Sequence, residues 1–503
     1  MTSKEAARNV RRAQAPLRAG EEVDVLFTDL LANGQAVGRA AGMVVFCFGP
    51  LPRERARVRI STVKPKYAVG DVVRLIEGSP FRVQPFCTVF GSCGGCQVQH
   101  LAYAAQLQWK RDIVAGALQR IGGFTGVAVR ETIGMIAPRA YRNKMSLVVE
   151  HRSSVPVLGF YRQRSHEVVP IDECPIVATQ LGGYIARLHA ARLVPETARA
   201  LAQARHVVAR NARATGEAVV TVTTAEPSPE AAAAAPALMA QLPGAVGITN
   251  SFELSSENAI LGRRERVLAG KSEIEESIAG VRYRVSAGSF FQVNVEIVGR
   301  IFDFMKPGLD RPRRVVDLYC GAGTFSLFFA RAGCDVYGIE ESPRAVEEAQ
   351  ANAELNGLEG RVRFLAGRVE ERIAGGEGGD ALRRAQIVFL DPPRRGSDEA
   401  TLGALAAAGV PNIWYLSCDP ATLARDLKFL AAKGYRIGVV QPFDMFPQTG
   451  HVETLVTLFS ESGAARITVE EAFADAPPPA SWPDDDRFAR SQPEYPDFVI
   501  RHD

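Results

Sequence analysis

The chain has little of what membrane-spanning, secreted or disulfide-stapled proteins need. No apolar run among its 503 residues approaches the roughly 20 required to cross a bilayer. Its first residues, MTSKEAARNVRRAQ, lack the apolar core of a secretory signal, so a cytoplasmic protein is expected. Cysteine is scarce: eight in a chain of this length argue against a disulfide framework. Strong net charge is missing too, since 59 Lys and Arg face 56 Asp and Glu for a formal +3.

What charge there is sits unevenly. Residues 1–20 carry five Lys or Arg against one Glu, while residues 461–503 carry ten acids against four Arg. The stretch between is therefore more basic than the total suggests. That fits an RNA partner, and equally an ordinary solvated surface. The length exceeds one hydrophobic core, and about three domains are expected.

Residues 1–20 read as a disordered basic arm. From 21 to 78, short alternating runs (EVDVLFTDL, MVVFCF, RARVRISTV) are punctuated by Asn33-Gly34, Gly49-Pro50 and Gly70-Asp71. Strand signals at that spacing describe a small β-barrel, with Cys47 in its core. Arg53, Arg55, Arg57, Arg59, Lys64 and Lys66 decorate it and suggest RNA contact, although a spacer barrel fits as well.

Next comes Cys87-x5-Cys93-x2-Cys96, rich in glycine, and far downstream Cys174-Pro175. Glycines let a short loop fold round one centre, and four thiolates suit zinc or a [4Fe–4S] cluster. A single C-x2-C knuckle with an isolated Cys-Pro favours the cluster; zinc and unrelated free thiols stay open. Residues 79–285 form the expected α+β central domain, with a helix at 101–121 ending at Gly122-Gly123 and available to pack on the catalytic domain. In it, YRNKMSLVVEH and VLGFYRQRSHEVVPI interleave cations with aromatics, as a single-stranded RNA surface does. The stretches 181–208 and the alanine-rich 228–241 read as helices.

From 286 to 460, strand and helix alternate as in a doubly wound, Rossmann-like parallel sheet with a closing hairpin. The tail from 461 reads as acidic and mostly disordered. In such sheets ligands bind beyond the carboxyl ends of the strands. Four strand ends there carry chemistry. Asp317-Leu-Tyr-Cys-Gly-Ala-Gly323 breaks into glycines and re-enters a helix, the form of a nucleotide-binding turn, with Gly321 and Gly323 allowing close approach. Glu340 closes the next strand, placed to hold ribose hydroxyls. Asp391-Pro-Pro-Arg394 offers a stiff loop to a planar base, but Arg394 stands where enzymes acting on exocyclic amines carry an aromatic residue. Cys418 ends another strand, and Glu453 lies in His451-Val-Glu-Thr454.

A thiol and a carboxylate beside such a loop suit methylation at carbon. Uracil C5 is a poor nucleophile until a thiolate adds to C6, and a base must later remove the C5 proton. Cys418 and Glu453 are the candidates for those roles.

SCDP, DPPR, DLYCGAG, FFQVN at 290–294, HVET and the four-cysteine set together resemble the uracil-C5 RNA methyltransferase family. Within it they resemble the iron–sulfur, TRAM-containing branch that makes 5-methyluridine in 23S ribosomal RNA. The resemblance implies an OB-like TRAM barrel at 21–78 and a [4Fe–4S] cluster on Cys87, Cys93, Cys96 and Cys174. It implies a methyltransferase domain at 286–460 that binds S-adenosylmethionine through Gln292, Tyr319, Thr324 and Glu340. It further implies that Cys418 attacks C6, Glu453 takes the C5 proton, and Asp391 lies between cofactor and target ring. A monomer with an RNA partner and no membrane partner is expected. Alternatives are the same reaction on transfer RNA, or a non-catalytic iron–sulfur RNA-binding protein. At Ala366-Gly367-Arg368 the family pattern is not met, and no adenine contact is assigned.

Overall fold

Alternation in the first eighty residues places one side chain in two inside a barrel. The computed structural model describes residues 17–151, 155–256, 259–461 and Ile467; most of the basic arm and of the acidic tail lies outside them. Strands β1 (Glu22–Leu30), β2 (Gln35–Ala40), β3 (Met43–Phe48), β4 (Arg55–Val63) and β5 (Tyr67–Glu77) close in the order β1-β2-β3-β5-β4. Val25, Phe27, Val45, Cys47, Val58 and Ile60 point inward and are buried. The outward arginines of β4 are not all free for RNA. Arg57 pairs with Asp24 at 2.8 Å, Arg59 with Glu22 at 2.8 Å and Arg55 with Glu77 at 3.8 Å. The bare sequence could not show this, because the acids lie on other strands.

Helix α1 (Tyr103–Ala117) runs into a π-helical turn, Leu118–Gly122, and ends at Gly123 in a left-handed conformation. It joins two parts of the molecule. Trp109 Nε1 donates to Leu30 O of the barrel at 2.8 Å. From the same helix, Lys110 reaches Asp444 of the C-terminal domain in a fully buried ion pair, and also donates to Phe446 O at 3.0 Å. Tyr103 OH donates to the other Asp444 oxygen at 2.8 Å.

The central sheet is built from β6 (Lys144–Glu150), β7 (Val157–Tyr161), β8 (Val168–Pro170), β9 (His206–Asn211), β10 (Ala218–Thr223), β11 (Ala245–Phe252) and β12 (Arg264–Gly270). Their order is β12-β11-β10-β9-β6-β7-β8, and only the β10–β11 pair is parallel. Helices α2 (Thr179–Ala191), α3 (Pro195–Ala202) and α4 (Pro229–Gln241) cover it. Residues 206–208, expected as helix, form strand β9 instead: His206, Val207 and Val208 are buried between β10 and β6. The alanine-rich α4 packs Ala231, Ala234, Ala235 and Leu238 into this core.

The hairpin β13 (Glu273–Ile278) and β14 (Val281–Ser286) lies before residue 286, yet its apolar side joins the core of the C-terminal domain. Ile278, Val281, Tyr283 and Val285 share a cluster there with Phe302 and Phe325. After it come α5 (Val295–Met305), β15 (Arg314–Leu318), α6 (Thr324–Arg331), β16 (Asp335–Glu340), α7 (Pro343–Leu355), β17 (Val362–Ala366), α8 (Val369–Ile373) and α9 (Gly376–Arg384). They are followed by β18 (Ile387–Leu390), α10 (Glu399–Ala407), β19 (Asn412–Ser417), α11 (Pro420–Ala432), β20 (Tyr435–Phe443) and β21 (Glu453–Ser460). The sheet order is β17-β16-β15-β18-β19-β21-β20. The first five strands are parallel, and β21 slips antiparallel between β19 and β20. The start of β21 therefore lies at the same edge as the ends of β15, β18, β19 and β20. Among the described residues no helix is long and apolar enough to cross a membrane.

Removing one partner of a buried ion pair leaves the other charge without compensation, which typically costs about 3–5 kcal/mol. Lys110→Met is expected to lower the urea midpoint strongly, and the Lys110→Met/Asp444→Asn double variant to recover part of the loss. A midpoint unchanged in the single variant would show that the pair does not fasten α1 to the C-terminal domain.

Candidate active site

Strand β15 is apolar between its exposed Arg314 and the buried Asp317, and after Leu318 the chain turns sharply. Tyr319 adopts φ 65° and Gly321 φ 54°, and Gly323, at φ 83°, opens α6. A side chain at Gly321 would meet open space, so its glycine serves the backbone conformation rather than packing. At Gly323 a Cβ would lie 3.2 Å from Ala349 and 3.3 Å from Phe364, so α6 depends on a small residue there. The turn is pinned from β16: Glu340 accepts from Gly321 N at 3.1 Å and from Ser342 N at 2.9 Å. Thr324 occupies the first turn of α6. Tyr319 OH meets Ser397 Oγ at 3.1 Å, linking this turn to the loop after β18.

Cys320 is buried, and burial pushes its thiol well above the ordinary range; it is a packing residue beside Gly338. Asp317, also buried, accepts from Ser326 Oγ at 2.5 Å with one oxygen, and the other has no hydrogen-bond partner among the described residues. Burial raises it to about 8. The sequence marked Asp317 only as the start of the glycine motif.

Asp391 and Arg394 follow β18 in a loop that α11 holds rigid. Ser397 N donates to Asp426 at 2.9 Å, Tyr415 OH donates to the same oxygen at 2.7 Å, and Arg425 reaches Arg395 O at 2.9 Å. Gly396, at φ 77°, has no room for a side chain: a Cβ would lie 2.6 Å from the Asp426 carboxylate. Cys418 sits half-buried between β19 and α11, where Asp419 caps the helix through Ala421 N and Thr422 N, both at 2.9 Å. Glu453, 5% exposed, begins β21 opposite Phe443.

These groups feel one another. Burial, then the Asp391 carboxylate, raises Glu453 to about 8, against the pull of Arg394 and Lys110. Burial raises Asp391 to about 7. Burial, Glu453 and Asp391 push the Cys418 thiol up to about 12, with Arg394 opposing. A half-buried thiol, two proton-holding carboxyls and an exposed cation thus share one rim, an arrangement suited to moving protons at neutral pH. Gln292 is buried on the loop between β14 and α5, and its side-chain amide makes no hydrogen bond among the described residues. The sequence named Cys418, Glu453, Asp391, Gln292, Tyr319 and Glu340 separately; the fold puts their elements along one edge. It gave no sign of Lys110 and Asp444, which sit behind Glu453 and come from residues 334 positions apart.

The four cysteines Cys87, Cys93, Cys96 and Cys174 all line one cavity of about 590 Å³, with Arg142, Phe160 and Tyr161 among its walls. The 93–96 loop is fastened there by Gly94 N, which donates to Tyr161 O at 2.9 Å. Burial and mutual repulsion raise Cys96 to about 12 and Cys174 to about 11. Among the described residues no group of three or more His, Cys, Asp or Glu is arranged to hold a metal ion. Of the two segments expected to face RNA, VLGFYRQRSHEVVPI supplies cavity walls, and its Arg162 pairs with Glu167 at 2.8 Å. In the other, YRNKMSLVVEH, Asn143 and Lys144 turn toward the loop that carries Gln292.

Comparison with known proteins agrees with this architecture. Residues 259–461 match the family described as tRNA (Uracil-5-)-methyltransferase, and residues 16–73 match the TRAM domain. An uncharacterized RNA methyltransferase of Halalkalibacterium halodurans is 38% identical over 466 residues, covering 89% of this chain and 99% of its own. One from Clostridium acetobutylicum is 37% identical over 458 residues, covering 88% and 98%. The crystal structure of Pyrococcus abyssi tRNA (uracil-54, C5)-methyltransferase in complex with S-adenosyl-L-homocysteine superposes with a TM-score of 0.67 at 26% identity, covering 87% of this chain and all of that one. With its TRAM barrel and its methyltransferase fold, the chain belongs to the uracil-C5 RNA methyltransferase family.

Proposed function

We propose that this protein converts a uridine of 23S ribosomal RNA to 5-methyluridine, acting as a monomer whose site residues all come from one chain. The observation that carries the reaction is the strand order: Asp391 and Cys418 follow β18 and β19, Glu453 begins the adjoining β21, and β15 with its glycine turn lies next to β18. S-adenosylmethionine supplies the methyl group when bound, and Gln292, Tyr319, Gly321, Gly323, Thr324, Glu340 and Asp391 are the residues that would hold it.

Cys418 gives up its proton to solvent and bonds to uracil C6, which moves an electron pair onto C5 as an enolate. C5 then takes the methyl as the methyl–sulfonium bond breaks, with a neutral thioether as the leaving group. Glu453 removes the C5 proton, the C5–C6 double bond re-forms and the C6–sulfur bond breaks, freeing Cys418. Arg394, whose charge reaches both Cys418 and Glu453, favours the anionic form of each. The 23S assignment rests on the joint motif set with its four cysteines. Transfer RNA is the second reading, because the similar Pyrococcus abyssi enzyme acts on a tRNA uridine. Mapping 5-methyluridine by mass in both RNA pools of a strain lacking this protein decides between them. Loss of one residue from 23S RNA alone is expected; loss from transfer RNA alone would refute the assignment.

We further propose that Cys87, Cys93, Cys96 and Cys174 hold a [4Fe–4S] cluster in a structural role. A cluster is larger than one zinc ion, which suits thiols that line a cavity. Anaerobically purified protein is expected to contain about four irons per chain and no zinc, and Cys93→Ser to lose them. One zinc and no iron would overturn this reading.

Glu453 must lose its proton to act as a base, so the release of methylated RNA is expected to quicken as pH rises to about 8. Stability runs the other way. Folded Glu453 keeps a proton that the unfolded chain has released, so its contribution to stability falls as pH rises from the ordinary 4.5 to about 8. Glu453→Gln should therefore gain melting temperature over the parent as pH is raised from 5.5 to 8.5. It should also accumulate a covalent complex with unmodified RNA, because elimination stalls. Release of methylated RNA at the parent rate would remove Glu453 from the mechanism.

A further inference from the structure

The loop between β14 and α5 carries Gln292, but its shape is held from another domain. Asn143, just before β6, donates through Nδ2 to Gln292 O at 3.1 Å, and its backbone N–H donates to Val293 O at 2.9 Å. Lys144, the first residue of β6, donates to Ala287 O at 2.8 Å. Arg210 of β9 donates to Ser289 O at 3.0 Å. Central-domain side chains thus hold three carbonyls of this loop, while Ser286 and Ser289 brace its start at 2.8 Å.

Such donors are costly to keep. Asn143 and Arg210 are almost wholly buried, at 1% and 2% exposure. Two guanidinium nitrogens of Arg210, the Asn143 oxygen and the Asn211 oxygen have no hydrogen-bond partner among the described residues. Burying a cation and leaving polar atoms unpaired costs free energy that an apolar core would not. These hydrogen bonds go to carbonyls of a loop whose Ala287, Ser289 and Gln292 are themselves buried, carbonyls that would otherwise lack partners. What they secure is the position of one short segment.

We propose that Asn143, Lys144 and Arg210 are positioning residues for the cofactor loop, so that the central domain sets the affinity of the methyltransferase domain for its nucleoside ligand. The proposal rests on the reading of Gln292 as a cofactor contact. It also gives the cysteine segment a route to that site. Arg142 N donates to Ile176 O at 3.0 Å and Ala140 N to Pro175 O at 3.0 Å, so the strap 140–144 lies between the Cys174 segment and the cofactor loop. Lys144 belongs to a stretch whose charges the sequence assigns to RNA, and Arg210 lies on β9 of the same sheet. Their direction is inward.

The test uses the full-length protein and S-adenosylhomocysteine, a product that binds without reacting, measured by calorimetry. Lys144→Met and Arg210→Met are each expected to weaken its binding by roughly tenfold or more, with RNA affinity within about twofold of the parent. Lys144→Arg, which keeps a donor at that place, is expected to recover most of the loss. Circular dichroism melts identify any variant that fails to fold, and the half-buried Lys144 pair of variants then carries the comparison alone. Unchanged S-adenosylhomocysteine affinity in folded Lys144→Met overturns the proposal, as does a fall in RNA affinity with the ligand affinity kept. If the parent itself does not bind S-adenosylhomocysteine, the functional reading fails instead, and the two failures are told apart in one series.

Discussion

A buried cation paired with a buried carboxylate, Lys110 with Asp444, fixes how the parts of this protein meet. Both side chains are wholly removed from water, where an ion pair persists only if its geometry is good and its remaining donors and acceptors are satisfied. Here Tyr103 and the Phe446 carbonyl complete the set. Trp109, one residue before Lys110, is tied to the barrel. One helix therefore fastens the TRAM barrel to the end of β20, directly behind the strand start that bears Glu453. Apolar side chains of the same segment join both cores: Ala105 and Trp109 pack in the barrel, Val114, Ala117 and Leu118 in the C-terminal domain.

The catalytic edge has its own constraint. Asp391, Glu453 and Cys418 are acids that repel one another in a poorly solvated place, so they resist being ionised together. That conflict holds protons on the site at neutral pH, which a reaction that must both release and recapture a thiolate can use. Arg394 is the counterweight. A lone aromatic residue in its place, as in enzymes acting on exocyclic amines, would leave the thiol still harder to ionise.

Much of this was legible because it is local. The strand ends carrying Asp317, Glu340, Asp391 and Cys418 announce themselves by apolar runs that stop at polar or glycine residues, and the barrel strands by strict alternation. What escaped depends on pairing across long sequence separations. Nothing near Arg57 or Arg59 says that Asp24 and Glu22 face them. The hairpin 273–286 reads like one more central strand pair, yet its Tyr283 and Val285 are buried against α6 and α7. Asn143 and Lys144 sit among aromatics and cations in a pattern that fits RNA, and only the adjacency of β6 to the Gln292 loop reveals their direction. Lys110 and Asp444 were invisible for the same reason.

The central claim is that Cys418 bonds to uracil C6. Fluorine at C5 cannot leave as a proton, so RNA carrying 5-fluorouridine at the target position should trap the enzyme covalently in the presence of S-adenosylmethionine. Denaturing gels and mass spectrometry of the peptide then locate the bond. The account predicts a stable adduct on Cys418 that Cys418→Ala abolishes. An adduct that survives in Cys418→Ala, or one mapped to another residue, would contradict it.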